Sequence, residues 1–352
     1  MFFKLSALVK LSCVTFLVIP VTAGPVTPDV STLSVVVSGP DTVTDAKNLH
    51  LNVTVTNTGQ RSLKLINYPW SPLSTSPTDS FLISGPNQVS PDFSGIAVKY
   101  AGIDYVAAKG QDDAFTVLAA GQSVVLTHDL SKGYNFKNSG LGKYTIDTLG
   151  SFYHVDDSKR VVSIKATTKS HQLMLNGNIP AFDPSPDMLT EFATFVNCTP
   201  AQQNQINQAI NAARGYVAES IRYINNHTVA TPRFTTWFGA FQNARHTTVL
   251  SHFNSLARRG NEFTAWKYTC NPSNCQPGYF AYVYREIYGE VYLCGAFWRA
   301  PASGTDSQAG TLVHEGTHFS ATANTDDIAY GQPASRELAR TDPDRAISVG
   351  IR

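Results

Sequence analysis

Apolar positions along this 352-residue chain follow two different periods. Between residues 30 and 170 they fall in short runs: "TLSVVVSG", "LHLNVTVTNTG", "SLKLINY", "SVVLTHDL", "YTIDTLG" and "RVVSIKA". These runs are rich in β-branched residues, alternate with polar ones, and are separated by Gly, Pro, Asn and Asp. Strands at that spacing predict an all-β antiparallel sandwich of immunoglobulin-like type. From about residue 200 the period becomes helical. "PAQQNQINQAINAARGYVAESIRYINNH" sets Ile206, Ile210, Ala213, Val217, Ile221 and Ile224 on one face. "TTWFGAFQNARHTTVLSHFNSLARRG" repeats the pattern and predicts a helix closed by Gly260. Its aromatic residues Trp237, Phe238, Phe241 and Phe253 read as core. "YFAYVYREIYGEVYLCGAFW" (279–298) alternates like a hairpin. Between the halves, "NGNIPAFDPSPDMLTEFAT" (176–194) carries three prolines and reads as an exposed linker, the kind of segment proteases cut.

The first 23 residues change the picture of where the chain goes. Lys4 and Lys10 precede the apolar run "LSCVTFLVIP", and "VTA" ending at Ala23 offers small residues for cleavage, as in a secretory signal. The run is too short to span a bilayer. A net charge of +1 gives no electrostatic case for nucleic acid or an anionic membrane as partner. A secreted, soluble monomer is expected. Cys13 would leave with the signal, so Cys198, Cys270, Cys275 and Cys294 remain. In an oxidising compartment these pair with one another, although spacing does not choose among three pairings and a zinc–cysteine site is the rival reading. Sequons at Asn52, Asn197 and Asn226 fit export.

Candidate chemistry lies in "TLVHEGTHFSATANTDDIAYG" (311–331). On a helix, His314 and His318 share one face and can point at a common ion. Glu315 emerges beside them, where it could polarise a metal-bound water. With 9 His and 7 Glu in the chain, HExxH would arise by chance with a probability of about 0.005. Catalytic zinc takes three protein ligands, and three templates compete for the third. A histidine-ligand pattern needs Gly and His where this chain has Ala321 and Asn324, so it fails. A glutamate ligand would have to be Glu337. An aspartate delivered by the turn "ANTD" leaves Asp326 and Asp327 as candidates.

"HEGTH" followed by "NTDDIAYG" resembles the deuterolysin-like aspzincin peptidases, in which HExxH is followed by Gly-Thr-x-Asp-x-x-Tyr-Gly. The resemblance runs through "ATPRFTTWFG", "FAYVY", "VYLCGAFW" and "GTDSQAGTLVHE". It covers about residues 194–346 and looks most like the fungal peptidyl-lysine metalloendopeptidases. It implies a mainly α, zincin-like metalloprotease domain over 194–352 with a small β-hairpin sheet. It also implies one zinc per chain on His314, His318 and Asp327. Glu315 would be the general base, Tyr330 the hydrogen-bond donor to the oxyanion, and Phe280 a wall of the substrate pocket. Asn324 stands where the family has glycine, a mild departure because Asn tolerates a left-handed backbone.

By the same resemblance the β half, 24–185, is a propeptide that covers the cleft and inhibits the enzyme in the zymogen. The hairpin at 279–298 would then be the cleft edge, where a protein or peptide substrate adds as a strand. The family pattern pairs Cys198 with Cys270 and Cys275 with Cys294, and processing is expected between about 180 and 194.

Two features bear on specificity. Of 13 lysines, 12 lie at or before Lys169, whereas 12 of 14 arginines lie at or beyond Arg214. A lysine-cleaving enzyme that spares itself would show that bias, as would compositional drift. Against it, the family extends beyond "DPDRAISVGIR" into acidic residues that receive the substrate lysine. The expectation is therefore a truncated or mis-spliced product with an incomplete pocket and weak or relaxed cleavage. A reading from another class makes the chain a non-catalytic secreted protein whose β-sandwich binds a partner.

Overall fold

The computed structural model of the chain describes residues 32–179, 192–258, 263–329 and 331–350. The expected signal, most of the linker, Gly260 and Tyr330 lie outside these residues.

Alternation in the first half becomes two four-stranded sheets. One is ordered Thr167–Lys169, Leu33–Ser38, His50–Asn57, Ser123–Asp129; the other Thr42–Asp45, His171–Asn178, Gly142–Thr148, Phe81–Ser84. Every second side chain of Leu33–Ser38 and of His50–Asn57 turns inward. Val35, Val53 and Val55 of one sheet share a core with Tyr144, Ile146 and Leu173 of the other. The pairing is not wholly antiparallel. Leu33–Ser38 pairs parallel to Thr167–Lys169, and Thr42–Asp45 parallel to His171–Asn178. Two chain segments, 33–45 and 167–178, each cross from the first sheet to the second side by side, and this forces both parallel pairings. A third sheet, Val161–Lys165, Ser151–Val155, Leu63–Ile66 and Phe115–Leu118, contributes Ile66 and Val155 to a core shared with Val98, Tyr279 and Tyr282.

The second half is built on a five-stranded sheet ordered Thr194–Val196, Lys267–Cys270, Glu290–Leu293, Tyr279–Tyr284, Ile96–Tyr100. Its outermost strand, Ile96–Tyr100, comes from the first half of the chain. The long helix Pro200–Asn226 starts at a capping box between Thr199 and Gln202, with Pro200 supplying the preset φ of a first turn. Ile206, Ala209, Ile210 and Ala213 pack in one core with Leu312 and Val313 of the helix Gln308–His318 and with Trp266 and Tyr268.

Three expectations are corrected. The second helical pattern is broken at Gly239, where φ is +75° and a Cβ would meet the Ala339 carbonyl oxygen at 2.4 Å. Two helices result, Pro232–Phe238 and Asn243–Ala257. The alternating run 279–298 is a hairpin only as far as Leu293, after which Gly295–Arg299 is helical. The Phe297 amide donates to the Cys294 carbonyl at 3.1 Å and the Ala300 amide to the Phe297 carbonyl at 3.1 Å, turn-closing bonds in place of a ladder. The linker is shorter than expected, because His171–Asn178 and Thr194–Val196 are strands at its two ends. Disulfides join Cys198 to Cys270 and Cys275 to Cys294, all within the second half. Among the described residues no helix is long and apolar enough to cross a membrane.

Candidate active site

The helix Gln308–His318 begins at Ser307, whose hydroxyl accepts the Gly310 amide at 3.0 Å. One helical turn then carries His314 and His318 to the same face, 1% and 0% exposed, with their Nε2 atoms 3.1 Å apart. Gly316, between them on the opposite side, lets the helix lie on Trp266; a Cβ there would come within 2.8 Å of the indole.

The turn after this helix positions the third group. Phe319 ends the helix and is fully buried against Trp266 and Tyr288. Asn324 takes a left-handed φ of +48°, and the chain doubles back. The Thr325 amide donates to the Thr317 carbonyl at 3.0 Å and its hydroxyl to the Thr317 hydroxyl at 2.8 Å. The Thr325 carbonyl lies 2.8 Å from His318 Nδ1. A proton on that nitrogen leaves Nε2 with its lone pair free for a ligand.

Asp327 then falls opposite both rings, its carboxylate 3.2 Å from His314 Nε2 and 3.3 Å from His318 Nε2. Ligand atoms around a tetrahedral zinc with bonds of about 2.0–2.1 Å lie about 3.3–3.4 Å from one another. The three side chains fit such an ion. Neither rival does: Asp326 pairs with Arg285 and is half exposed, and Glu337 pairs with Arg340 on the exposed helix Gly331–Thr341.

Electrostatics follow from burial. His314 is pushed down to about 3, so it is neutral, as a ligand must be. For His318 burial acts in the same direction, but the Asp327 carboxylate outweighs it and the pKa rises. Burial would raise Asp327, yet His318 and His314 together hold it well below the usual carboxylate range. Glu315 is driven up to about 8, chiefly by burial. Its Oε1 accepts the Lys99 amide at 3.1 Å, while Oε2 has no hydrogen-bond partner among the described residues.

Phe280 lies on the strand Tyr279–Tyr284 with the Lys99 ammonium 5.7 Å from its ring centroid. Trp237, Phe238 and Phe253 of the aromatic stripe, with Tyr223 and His314, line a cavity of about 500 Å³. The stripe is therefore part core and part cavity wall.

Residues 223–349 match the family model described as lysine-specific metallo-endopeptidase, the aspzincins. The chain is 44% identical over 317 residues to a peptidyl-Lys metalloendopeptidase of Grifola frondosa, across 90% of this chain and 89% of that protein. A peptidyl-Lys metalloendopeptidase of Armillaria mellea is 41% identical, across 90% and 88%. An extracellular protease of Aeromonas hydrophila is 30% identical, across 86% and 85%. The chain belongs to the aspzincin family. It is a zinc metalloendopeptidase, and its substrates are proteins or peptides.

Reading the sequence of this aspzincin missed the strand Ile96–Tyr100. Its Val98 amide donates to Asp327 Oδ2 at 3.1 Å, beside the Lys99 contact to Glu315. The signal was present in "GIAVKYAG", a strand-like run broken by a single lysine. Nothing in that run, however, names a partner more than two hundred residues away.

Proposed function

We propose that this chain is the zymogen of a secreted zinc endopeptidase that cleaves on the amino side of lysine. The observation that carries it is the convergence of His314, His318 and Asp327 beside a buried Glu315. The three would hold one zinc per chain, which when bound brings the pKa of a water towards 7. Glu315 takes a proton from the attacking water and delivers it to the leaving amide nitrogen. Tyr330, three residues past Asp327, would donate to the oxyanion. Phe280 would line the pocket for the residue after the scissile bond. Lysine preference is supported by the names of the relatives and by the Lys99 ammonium over that ring.

Residues 24–185 form the prosegment in this reading, and 194–352 the peptidase domain. Inhibition in cis is supported by the strand Ile96–Tyr100, which adds to the sheet at the position a substrate strand would take. An immunoglobulin-like sandwich is supported by the two sheets closed on one core. Export is supported by the signal-like leader, the two disulfides and the extracellular relative. The mature enzyme acts as a monomer, without nucleic acid or membrane. Glu315→Gln should keep zinc and lose casein cleavage, and Asp327→Ala should release zinc, while Asp326→Ala and Glu337→Ala stay loaded. An active Glu315→Gln protein would sink the mechanism.

A further inference from the structure

Asp326, set aside above as a ligand, is held at three points. Its amide donates to the Ser348 carbonyl at 2.7 Å, its carbonyl accepts the Gly350 amide at 3.0 Å, and its carboxylate pairs with Arg285. The first two bonds lay Ser348–Gly350 alongside as a parallel bridge between Asp326 and Val349. The Asp326 carbonyl and the Asp327 amide belong to one planar unit, so the bond from Gly350 also fixes the plane from which Asp327 springs. The segment is itself anchored. It follows the helix Pro343–Ala346, which Asp342 caps and whose Asp344 pairs with the buried Arg245 at 2.7 Å. Gly350 also meets the histidines. A Cβ on it would lie 2.6 Å from His314 Cε1, 2.8 Å from His314 Nδ1 and 3.0 Å from His318 Cε1. Carbon atoms in contact keep about 3.5–4.0 Å. The helix Gln308–His318 has no room to retreat, because at Gly316 it lies on Trp266 and Leu256. The two rings are therefore seated between one glycine in their own helix and another laid across them.

We propose that Ser348–Gly350 is a positioning strap of the metal site, fixing the Asp326–Asp327 peptide through two backbone bonds and seating both imidazoles against Gly350. This rests on the reading of His314, His318 and Asp327 as zinc ligands. A loose turn would have to be ordered each time an ion binds, and that ordering weakens binding. A strap that orders the turn beforehand raises affinity without touching the ion. Glycine supplies the amide for the strap without a Cβ that would displace the rings. Asp326 then has a role that its side chain alone does not reveal: its backbone is the point at which the strap grips the ligand turn.

The test uses the full chain after signal removal, purified in chelator, and compares the parent with Gly350→Ala and Gly350→Pro. Alanine adds the Cβ and keeps the amide, whereas proline adds carbon and removes the donor. Competition against a chromophoric chelator should show zinc held about 10-fold more weakly by Gly350→Ala and up to about 100-fold more weakly by Gly350→Pro. With Co2+ in place of zinc, the visible absorption band should shift in both variants. That band reports the geometry of the ligands, which a merely structural role for the tail would leave unchanged. Hydrogen–deuterium exchange on the metal-free parent needs no substitution, and there the Asp326 and Gly350 amides should be protected. Exchange of both within seconds would overturn the strap. So would a zinc affinity within twofold of the parent in every folded variant, with an unchanged Co2+ band; either result leaves the zinc site standing. A parent that binds neither ion would overturn the ligand reading itself.

Discussion

Thr325 links the turn that carries Asp327 to the helix that carries both histidines, so Thr325→Val is a sharp perturbation. Valine keeps the shape, and the residue is fully buried, so no cavity opens. What disappears is the hydroxyl, which donates to Thr317 at 2.8 Å and lies 3.3 Å from His318 Nδ1. Thr317 keeps its own hydrogen bond to the His314 carbonyl at 2.7 Å. The fold should therefore lose about one neutral hydrogen bond, roughly 1 kcal/mol, or a Tm drop of about 2–4 °C. Zinc should feel it as well, because the hydroxyl ties the turn that carries Asp327 to the helix; since the Thr325 carbonyl still holds His318 Nδ1, the loss should reach about 10-fold in affinity, roughly 1.4 kcal/mol. Competition against a chromophoric chelator at fixed pH reads the affinity, and thermal unfolding of the metal-free protein reads the fold. A Tm drop of this size with a zinc Kd within twofold of the parent would refute the orienting role and leave Thr325 a packing residue.

Gly316→Ala should cost about 1–3 kcal/mol, read as a lower denaturant midpoint, because its Cβ would fall 2.8 Å from Trp266 and 2.9 Å from Leu256 in a filled core. An unchanged midpoint would mean that the indole can move aside. His128, buried against Phe81 with Nε2 3.1 Å from the Pro72 carbonyl, has its pKa lowered from 6.5 by burial. The native chain then binds fewer protons at that ring than the unfolded one, so its stability contribution is present above pH 6.5 and is lost as pH falls below it. His128→Gln, which cannot titrate, should flatten the fall in Tm between pH 7 and 5. An identical slope in both proteins would remove His128 as the cause.

Helical period and turn chemistry made the long helix, the HExxH helix and the candidate ligands legible, because each is decided by residues within a few positions of one another. Asp327 could be preferred over Asp326 only through the family spacing. What separates them in space is Asn324 reversing the chain and Arg285 drawing Asp326 outward, and Arg285 is 41 residues away. The break at Gly239 was hidden for a similar reason. A lone glycine in a helical pattern is ordinary, and the contacts that fix its backbone come from Ala339 and Pro343. The parallel edge pairs and the strand Ile96–Tyr100 depend on pairing across the whole chain, to which local alternation is blind.

That last strand also sets an order in time. Lys99 leaves the ribosome 216 residues before Glu315, about 10–40 s at ordinary rates of synthesis. The amino-terminal sheets have that interval in which to fold and hold Ile96–Tyr100 extended. When Tyr279–Tyr284 finally emerges, it meets an edge that is already in place. A catalytic half synthesised from residue 194 alone would have to nucleate its parallel–antiparallel sheet without that edge. The first half thus supplies the edge on which the sheet of the second half is completed.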